Sequence, residues 1–448
     1  MGSSLIRGGP SARYSLVLVV LLAGCVDPIP DGTVTPPGEG DLHGTVTDLC
    51  SSKPLEGVLV TPRPVEDGTP GKPGAATTTG ADGRYLLEGL DPGDWQLTLS
   101  KQSYQSVEKT VVMTGAQPQQ LDVTLAPVPS KLPESAKLDV LFVVDNSNSM
   151  AQEQQSLAAA FPRFMNALLL YGFTLDLRVG VISTDLGAGS FGLPSCEATG
   201  GDAGKLQGTP RVAGCTPPTD PYISLVNTVS NVPDDMINDA FSCIVQLGTG
   251  GCGFEQPLGA VLQAVDGTTN VGFPRKDSVL AVVVVSDEDD CTAADTQLYD
   301  PSQSSLSDPL GPLTSFRCFE FGVTCDVNDR LTPGPRKGCK PREGGYLLDV
   351  DSFVTKLTQD RLPGQVFFAA IAGPIDTVEV GLDAQNPTVR PSCQTADTVA
   401  VPAIRLRAVV ERMAPESAFA TICVTDLGGT LADLARQIAE KTILMPCS

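Results

Sequence analysis

The sequence predicts an α/β chain: a large, doubly wound (Rossmann-like) parallel-sheet domain with long disulfide-bearing insertions, preceded by a small all-β sandwich. Two apolar runs carry the α/β part. Leu138–Val144 and Ser278–Val285 are the near-continuous hydrophobic strands that a sheet covered on both faces requires. The third observation is a change of rhythm. From Leu42 to Leu125 short alternating strands are separated by turn residues, and beyond them strand-like and helix-like segments take turns.

The elements follow in chain order. Arg7 and Arg13 precede an apolar stretch, Ser15–Leu22, and then comes Leu22-Ala23-Gly24-Cys25. A run this short cannot span a bilayer but suits an export signal, so residues 1–24 read as a signal peptide. The small residues before Cys25 resemble the bacterial lipobox, which implies acylation of Cys25 and a membrane anchor. Val26 stands where an Asp would signal inner-membrane retention, so the resemblance implies the outer membrane. Residues 25–41, rich in Pro and Gly, read as an extended tether. Residues 42–127 form the expected sandwich, with turns at Asp82-Gly83 and Pro92-Gly93. Tyr85, Trp95 and Tyr104 are expected as packing residues and His43 as a surface or edge residue of the first strand. The order of these segments resembles the carboxypeptidase regulatory-like domain, a transthyretin-like sandwich, which implies a spacer or stabilising role.

After a linker at 128–136, the α/β domain occupies 137–448. Its strands are expected near 138–144, 176–183, 278–286, 365–372 and 417–424. Its helices are expected near 150–170, 234–247, 256–266, 350–361, 403–413 and 428–441. Insertions at 186–222, 289–346 and 374–402 each follow a strand end, where they would rim a ligand site.

Chemistry concentrates at two strand ends. Leu138–Val144 runs into Asp145-Asn146-Ser147-Asn148-Ser149, which places one carboxylate and two hydroxyls on alternate residues. Ser278–Val285 runs into Ser286-Asp287-Glu288-Asp289-Asp290. Hard cations take oxygen ligands of this kind. A polar strand-to-helix turn with a Ser or Asn cap would use the same residues. Together the two segments resemble the von Willebrand factor A (VWA) family, whose metal-ion-dependent adhesion site (MIDAS) combines D-x-S-x-S with a later Asp. The resemblance covers roughly 136–448 and implies that Asp145, Ser147, Ser149 and Asp287 hold a divalent cation, Mg²⁺ first, with Ca²⁺ or Mn²⁺ as alternatives. The family usually adds a Thr before a helix beginning Pro-Leu-Gly. Here Gly251–Gly259 contains no Thr, and Glu255 or Gln256 would have to supply the missing oxygen. Glu255 also reads as a negative charge complementing a helix N-terminus. As a ligand it would raise the site's negative charge and lower its appetite for an acidic partner group. Thr184 and Asp185, after the strand ending at Ser183, would at most support the ligands.

The bulk numbers bound the partners. Net charge is −22 and no basic block occurs, which speaks against nucleic acid. Thirteen cysteines less Cys25 leave an even twelve in a chain marked for export, so disulfides are expected. Local bridges would be Cys196–Cys215, Cys243–Cys252 and Cys325–Cys339. A single histidine removes His-based triads and the usual zinc sets, and no G-x-S-x-G or H-E-x-x-H occurs. Gly248–Gly253 lacks the Lys-Ser/Thr of a phosphate loop. The expected function is therefore not catalysis. It is an envelope-anchored lipoprotein whose metal site engages a protein ligand through a carboxylate of that ligand, or alternatively a structural envelope protein with a degenerate, non-binding motif.

Overall fold

The computed structural model describes residues 37–443 apart from 67–68, 116, 128–134, 171–173, 195 and 197–199. The export signal and the lipidation call at Cys25 lie outside the described residues. Among the described residues no helix is long and apolar enough to cross a membrane.

The N-terminal unit is built by two-residue alternation. β1 (Leu42–Asp48) buries every second side chain, so Leu42 and Val46 face inward while His43 and Thr45 face out. β2 (Leu59–Glu66), β3 (Arg84–Leu87), β4 (Gly93–Ser100), β5 (Val107–Met113) and β6 (Val123–Leu125) complete two small sheets. β1 pairs with β3 and β6, and β4 lies between β2 and β5. Between the sheets sits a core of Leu42, Val46, Val60, Leu97, Leu99 and Leu125, all unexposed. Tyr85 is part of that core, and its hydroxyl donates to Leu121 O at 2.7 Å. Trp95 and Tyr104 pack against it. Gly83 turns the chain into β3 with φ +73°, a conformation that costs glycine nothing.

The second unit is a sheet with helices on both faces. Its strands are β7 (Ser135–Val144), β8 (Thr174–Ser183), β9 (Ile223–Val226), β10 (Val279–Val285), β11 (Val366–Ala372) and β12 (Ser417–Thr421). The order is β9-β8-β7-β10-β11-β12, with a short Val229–Ser230 strand beyond β9. From β8 to β12 neighbouring strands are parallel, and β9 is antiparallel. β10 and β11 are buried along their whole length, which explains why Val279–Val285 carries no polar residue.

One face is covered by α1 (Ala151–Leu169), α2 (Ile237–Val245) and a C-terminal helix, Leu427–Ile443. In α1 the buried Leu157, Ala160, Phe161, Phe164 and Leu168 recur every three or four residues and form one stripe. Phe142, Phe161, Phe164 and Phe241 meet there, with ring centroids 3.7 Å apart for Phe161–Phe241. The other face holds α3 (Pro257–Ala264), a helix Val350–Thr358 and a helix Ile404–Met413. Phe316–Gly322 is a further short helix inside the second insertion. In chain order these four are α4 (Phe316–Gly322), α5 (Val350–Thr358), α6 (Ile404–Met413) and α7 (Leu427–Ile443).

The insertions are more ordered than their sequence suggests. The third forms an antiparallel pair, Val378–Asp383 with Asn386–Val389. Two of the three expected bridges are wrong in their partners. The structure pairs Cys196 with Cys252 and Cys215 with Cys243, not Cys196 with Cys215 or Cys243 with Cys252. Cys325–Cys339 forms as expected, and Cys291–Cys318 and Cys393–Cys423 are added. The physical reason is a small core shared by distant segments. Leu193, Cys196, Cys252, Phe254, Cys291, Leu298, Tyr299 and Cys318 pack together, so sequence neighbours are not spatial neighbours.

Candidate metal centre

Strand register assembles the site. Val144 is paired with Ser183 on one side and with Val285 on the other. The residues that follow, Asp145, Thr184 and Ser286, therefore leave the sheet at the same level. The 145–149 loop is then clamped from below and from the side. Gln154 donates to Asp145 O at 2.9 Å and Gly248 O at 2.9 Å, and accepts from Gly248 N at 3.1 Å. Gly251 N donates to Asn146 O at 2.9 Å. A Cβ on Gly251 would lie 2.3 Å from Asn146 Oδ1, so only glycine allows the two loops to touch.

Asp145 is fully buried. Its Oδ1 accepts from Ser147 N at 2.8 Å and its Oδ2 accepts from Ser286 Oγ at 2.7 Å. The Ser147 and Ser149 hydroxyls are 3.1 Å apart, and Ser149 is near enough to Asp287 to act on its carboxyl. The Glu255 carboxyl accepts from the Thr184 hydroxyl and lies near enough to Asp145 for their charges to act on each other. The fold thus brings together Asp145, Ser147, Ser149, Asp287 and Glu255 from three separate loops. Gln256 is not among them. Its amide donates to Gly187 O at 2.7 Å, so of the two alternatives only Glu255 reaches the site. Thr184 supports Glu255. Asp185 turns away and accepts from Gly187 N at 2.8 Å.

The sequence reading missed four neighbours. Ser286 binds Asp145, and its signal was its place between the strand and Asp287. Glu153, on the first turn of α1, is buried and acts on Asp287 through its charge. Glu288 is near enough to Asp287 and Asp145 for their charges to act on it. Arg405 anchors the loop from outside the site. Asp290 Oδ2 receives its Nε and Nη2, both at 3.1 Å, and both residues are unexposed. Asp289 meanwhile caps α6 by accepting from Arg405 N and Leu406 N. The 286–290 run therefore divides its labour: Asp287 turns into the site, while Asp289 and Asp290 fix the loop to α6.

Electrostatically the cluster lacks a positive charge. Among the described residues no Lys or Arg ion-pairs with Asp145, Glu255, Asp287 or Glu288, and Glu255 Oε1 and Asp287 Oδ1 are buried without a hydrogen-bond partner. Burial and then the Asp145 charge push Asp287 up to about 7. Burial, with the charges of Asp287 and Asp145, pushes Glu288 up to about 8. Burial raises Glu255 well above the usual carboxylate range, helped by Asp145 and Glu288. Carboxylates crowded out of water in this way are what a cation would relieve. Among the described residues no three His, Cys, Asp or Glu side chains are grouped as a metal cage on their own. The Ser147 and Ser149 hydroxyls are the donors that would complete a set, and hard cations accept hydroxyl and water oxygens. The residues present fit a divalent ion.

Comparison with known proteins bears on the N-terminal unit. The sequence profile of the carboxypeptidase regulatory-like domain matches residues 41–126. Residues 41–126 are a carboxypeptidase regulatory-like domain. The two-sheet packing of β1–β6 is the fold of that domain in this chain. No curated protein matches the chain. Among solved structures, a streptococcal ancillary pilin is 16% identical, with 22% of this chain and 35% of the pilin covered and a TM-score of 0.18. The group B streptococcus pilus 2b backbone protein is 18% identical, covering 19% of this chain and 40% of its own, with a TM-score of 0.17. The Klebsiella pneumoniae 5-hydroxyisourate hydrolase is 20% identical, covering 20% and 85%, with a TM-score of 0.16. This chain thus spans well under half of either pilin protein. Overlap this small identifies neither architecture nor activity.

Proposed function

We propose that this chain is an envelope-anchored lipoprotein whose α/β domain is of the VWA kind and binds a protein ligand through a divalent cation. Asp145, Ser147, Ser149 and Asp287 would hold the ion, with Glu255 in place of the family's Thr. Bound there, the ion would supply an open coordination position for a partner's oxygen. One observation carries the reading: buried carboxyls from three loops converge with two hydroxyls, and among the described residues no cationic side chain ion-pairs with them. Mg²⁺ is the first candidate, and Ca²⁺ or Mn²⁺ would suit the same oxygens. The carboxypeptidase regulatory-like domain would act as a spacer between the site and an anchor at Cys25, which by the lipobox resemblance places the protein at the outer membrane.

A second reading has its own support. Thr184 donates to Glu255, and Ser147 N and Ser286 satisfy the two oxygens of Asp145, so much of the cluster is tied to itself. On that reading the motif stabilises the loop and the protein is structural. Isothermal titration of Mg²⁺, Ca²⁺ and Mn²⁺ into wild type and Asp145→Ala separates the two. Heat in wild type that vanishes in the variant supports the metal site. Silence in both proteins supports the structural reading.

A further inference from the structure

Glu255 and Glu288 are more than a cation site of this kind needs. Glu255 is fully buried, and the Asp145 charge acts on both. One oxygen of Glu255 accepts from Thr184, while the other, Oε1, is buried and has no partner. Asp287 Oδ1 is orphaned in the same way. Counting formal charges, Asp145, Glu255, Asp287 and Glu288 bring four negatives to an ion that carries two positives. The whole chain, these four included, carries −22. The edge of the site open to solvent is formed by Asn148 and Ser149, which are exposed and neutral.

We infer that the partner group reaching the cation is a neutral oxygen, a hydroxyl or an amide or backbone carbonyl, and not a carboxylate. The inference rests on the metal reading above and names the class of ligand that this version of the site accepts. Glu255 already plays the part of the anionic ligand from within. A carboxylate from outside would add a fifth negative charge where water cannot screen it. Hydroxyl and carbonyl oxygens complete the shell of a hard cation without that penalty. Glu255 is the specificity-determining residue, and Glu288 reinforces it.

The test uses the full chain loaded with Mn²⁺, with acetate as the probe. Equilibrium dialysis gives Mn²⁺ affinity, and water-proton relaxivity reports acetate displacing water from the bound ion. Glu255→Gln and Glu288→Gln should each weaken Mn²⁺ by about tenfold or more. They should also let acetate bind at concentrations about tenfold lower than in wild type. Glu288 is only half-buried, so its variant keeps the test open should Glu255→Gln fold poorly. Wild-type Mn²⁺ that takes acetate as readily as the variants overturns the inference while leaving the metal site standing. Unchanged Mn²⁺ affinity in both variants also overturns it. Wild type that binds no Mn²⁺ overturns the metal reading and this inference together.

Discussion

Asp287 carries the electrostatic strain of the site. It is 5% exposed, and the charges that push on it, those of Asp145 and Glu153, are both negative. In metal-free protein its pKa lies above that of the unfolded chain, at about 7 against 3.8, and Glu288 lies at about 8 against 4.5. Groups raised in this way stabilise the fold below the unfolded pKa and lose that contribution as pH climbs through the folded one. Metal-free protein should therefore have a lower urea midpoint at pH 8.5 than at pH 5.5, and saturating Mg²⁺ or Ca²⁺ should remove the difference. Equal midpoints in EDTA would show that the carboxyls do not repel. Asp287→Asn should then raise metal-free stability at pH 8.5 by about 1–3 kcal/mol, because a buried charge is lost, while abolishing stabilisation by cations. Thermal melts with and without EDTA measure both effects. A variant that is less stable in EDTA would give Asp287 a structural role instead. At this scale the sequence was most readable where residue type and chemistry coincide: the D-x-S-x-S spacing singled out Asp145, Ser147 and Ser149, the VWA resemblance added Asp287, and the fold places the four near one another. The choice between Glu255 and Gln256 was not. The two are adjacent in sequence, and only the backbone entering α3 decides which side chain turns inward.

The elements of the sheet explain why the site stays in register. Val279–Val285 is buried on both faces and pairs with Leu138–Val144, which in turn pairs with the strand ending at Ser183, and this register brings Asp145, Thr184 and Ser286 level. That much was legible, because long strands and the three-to-four spacing of α1 write themselves into the hydrophobic pattern. The loop anchors were not, since Asp290–Arg405 joins residues 115 apart and no periodicity marks it. Arg405 is unexposed and Asp290 is its ion-pair partner, so Arg405→Met leaves a buried carboxylate without its cation. That substitution should cost about 3–5 kcal/mol in urea unfolding and weaken cation binding by loosening the 286–290 loop. A loss below 1 kcal/mol would mean that the loop is held elsewhere. Two of the three expected disulfide pairings failed for a related reason, while Cys325–Cys339 formed. Cys196 meets Cys252 because the first insertion packs against the loop before α3, a tertiary fact that nearest spacing cannot express. Non-reducing peptide mapping should recover a Cys196–Cys252 linked pair. Reduction should expose the insertions to limited proteolysis before any strand of the sheet, and cleavage first within Leu138–Val144 would contradict this.

The molecule joins a small carboxypeptidase regulatory-like domain to a large α/β domain carrying a cluster of buried acids. A net charge of −22 disfavours nucleic acid and anionic surfaces as partners, which is compatible with the proposed membrane tether. Metabolic labelling with a fatty acid should tag wild type and not Cys25→Ser, and equal labelling of both would remove the anchor. The central claim is narrower: oxygens from the 145–149, 255 and 287 segments enclose one divalent ion. Crystals soaked in Mn²⁺ test it most directly. The account predicts a single anomalous-difference peak about 2.1–2.4 Å from the Ser147 and Ser149 hydroxyl oxygens. The same peak should touch a carboxylate oxygen of Asp287. A map with no peak between those side chains, or with its peak among other residues, would contradict it.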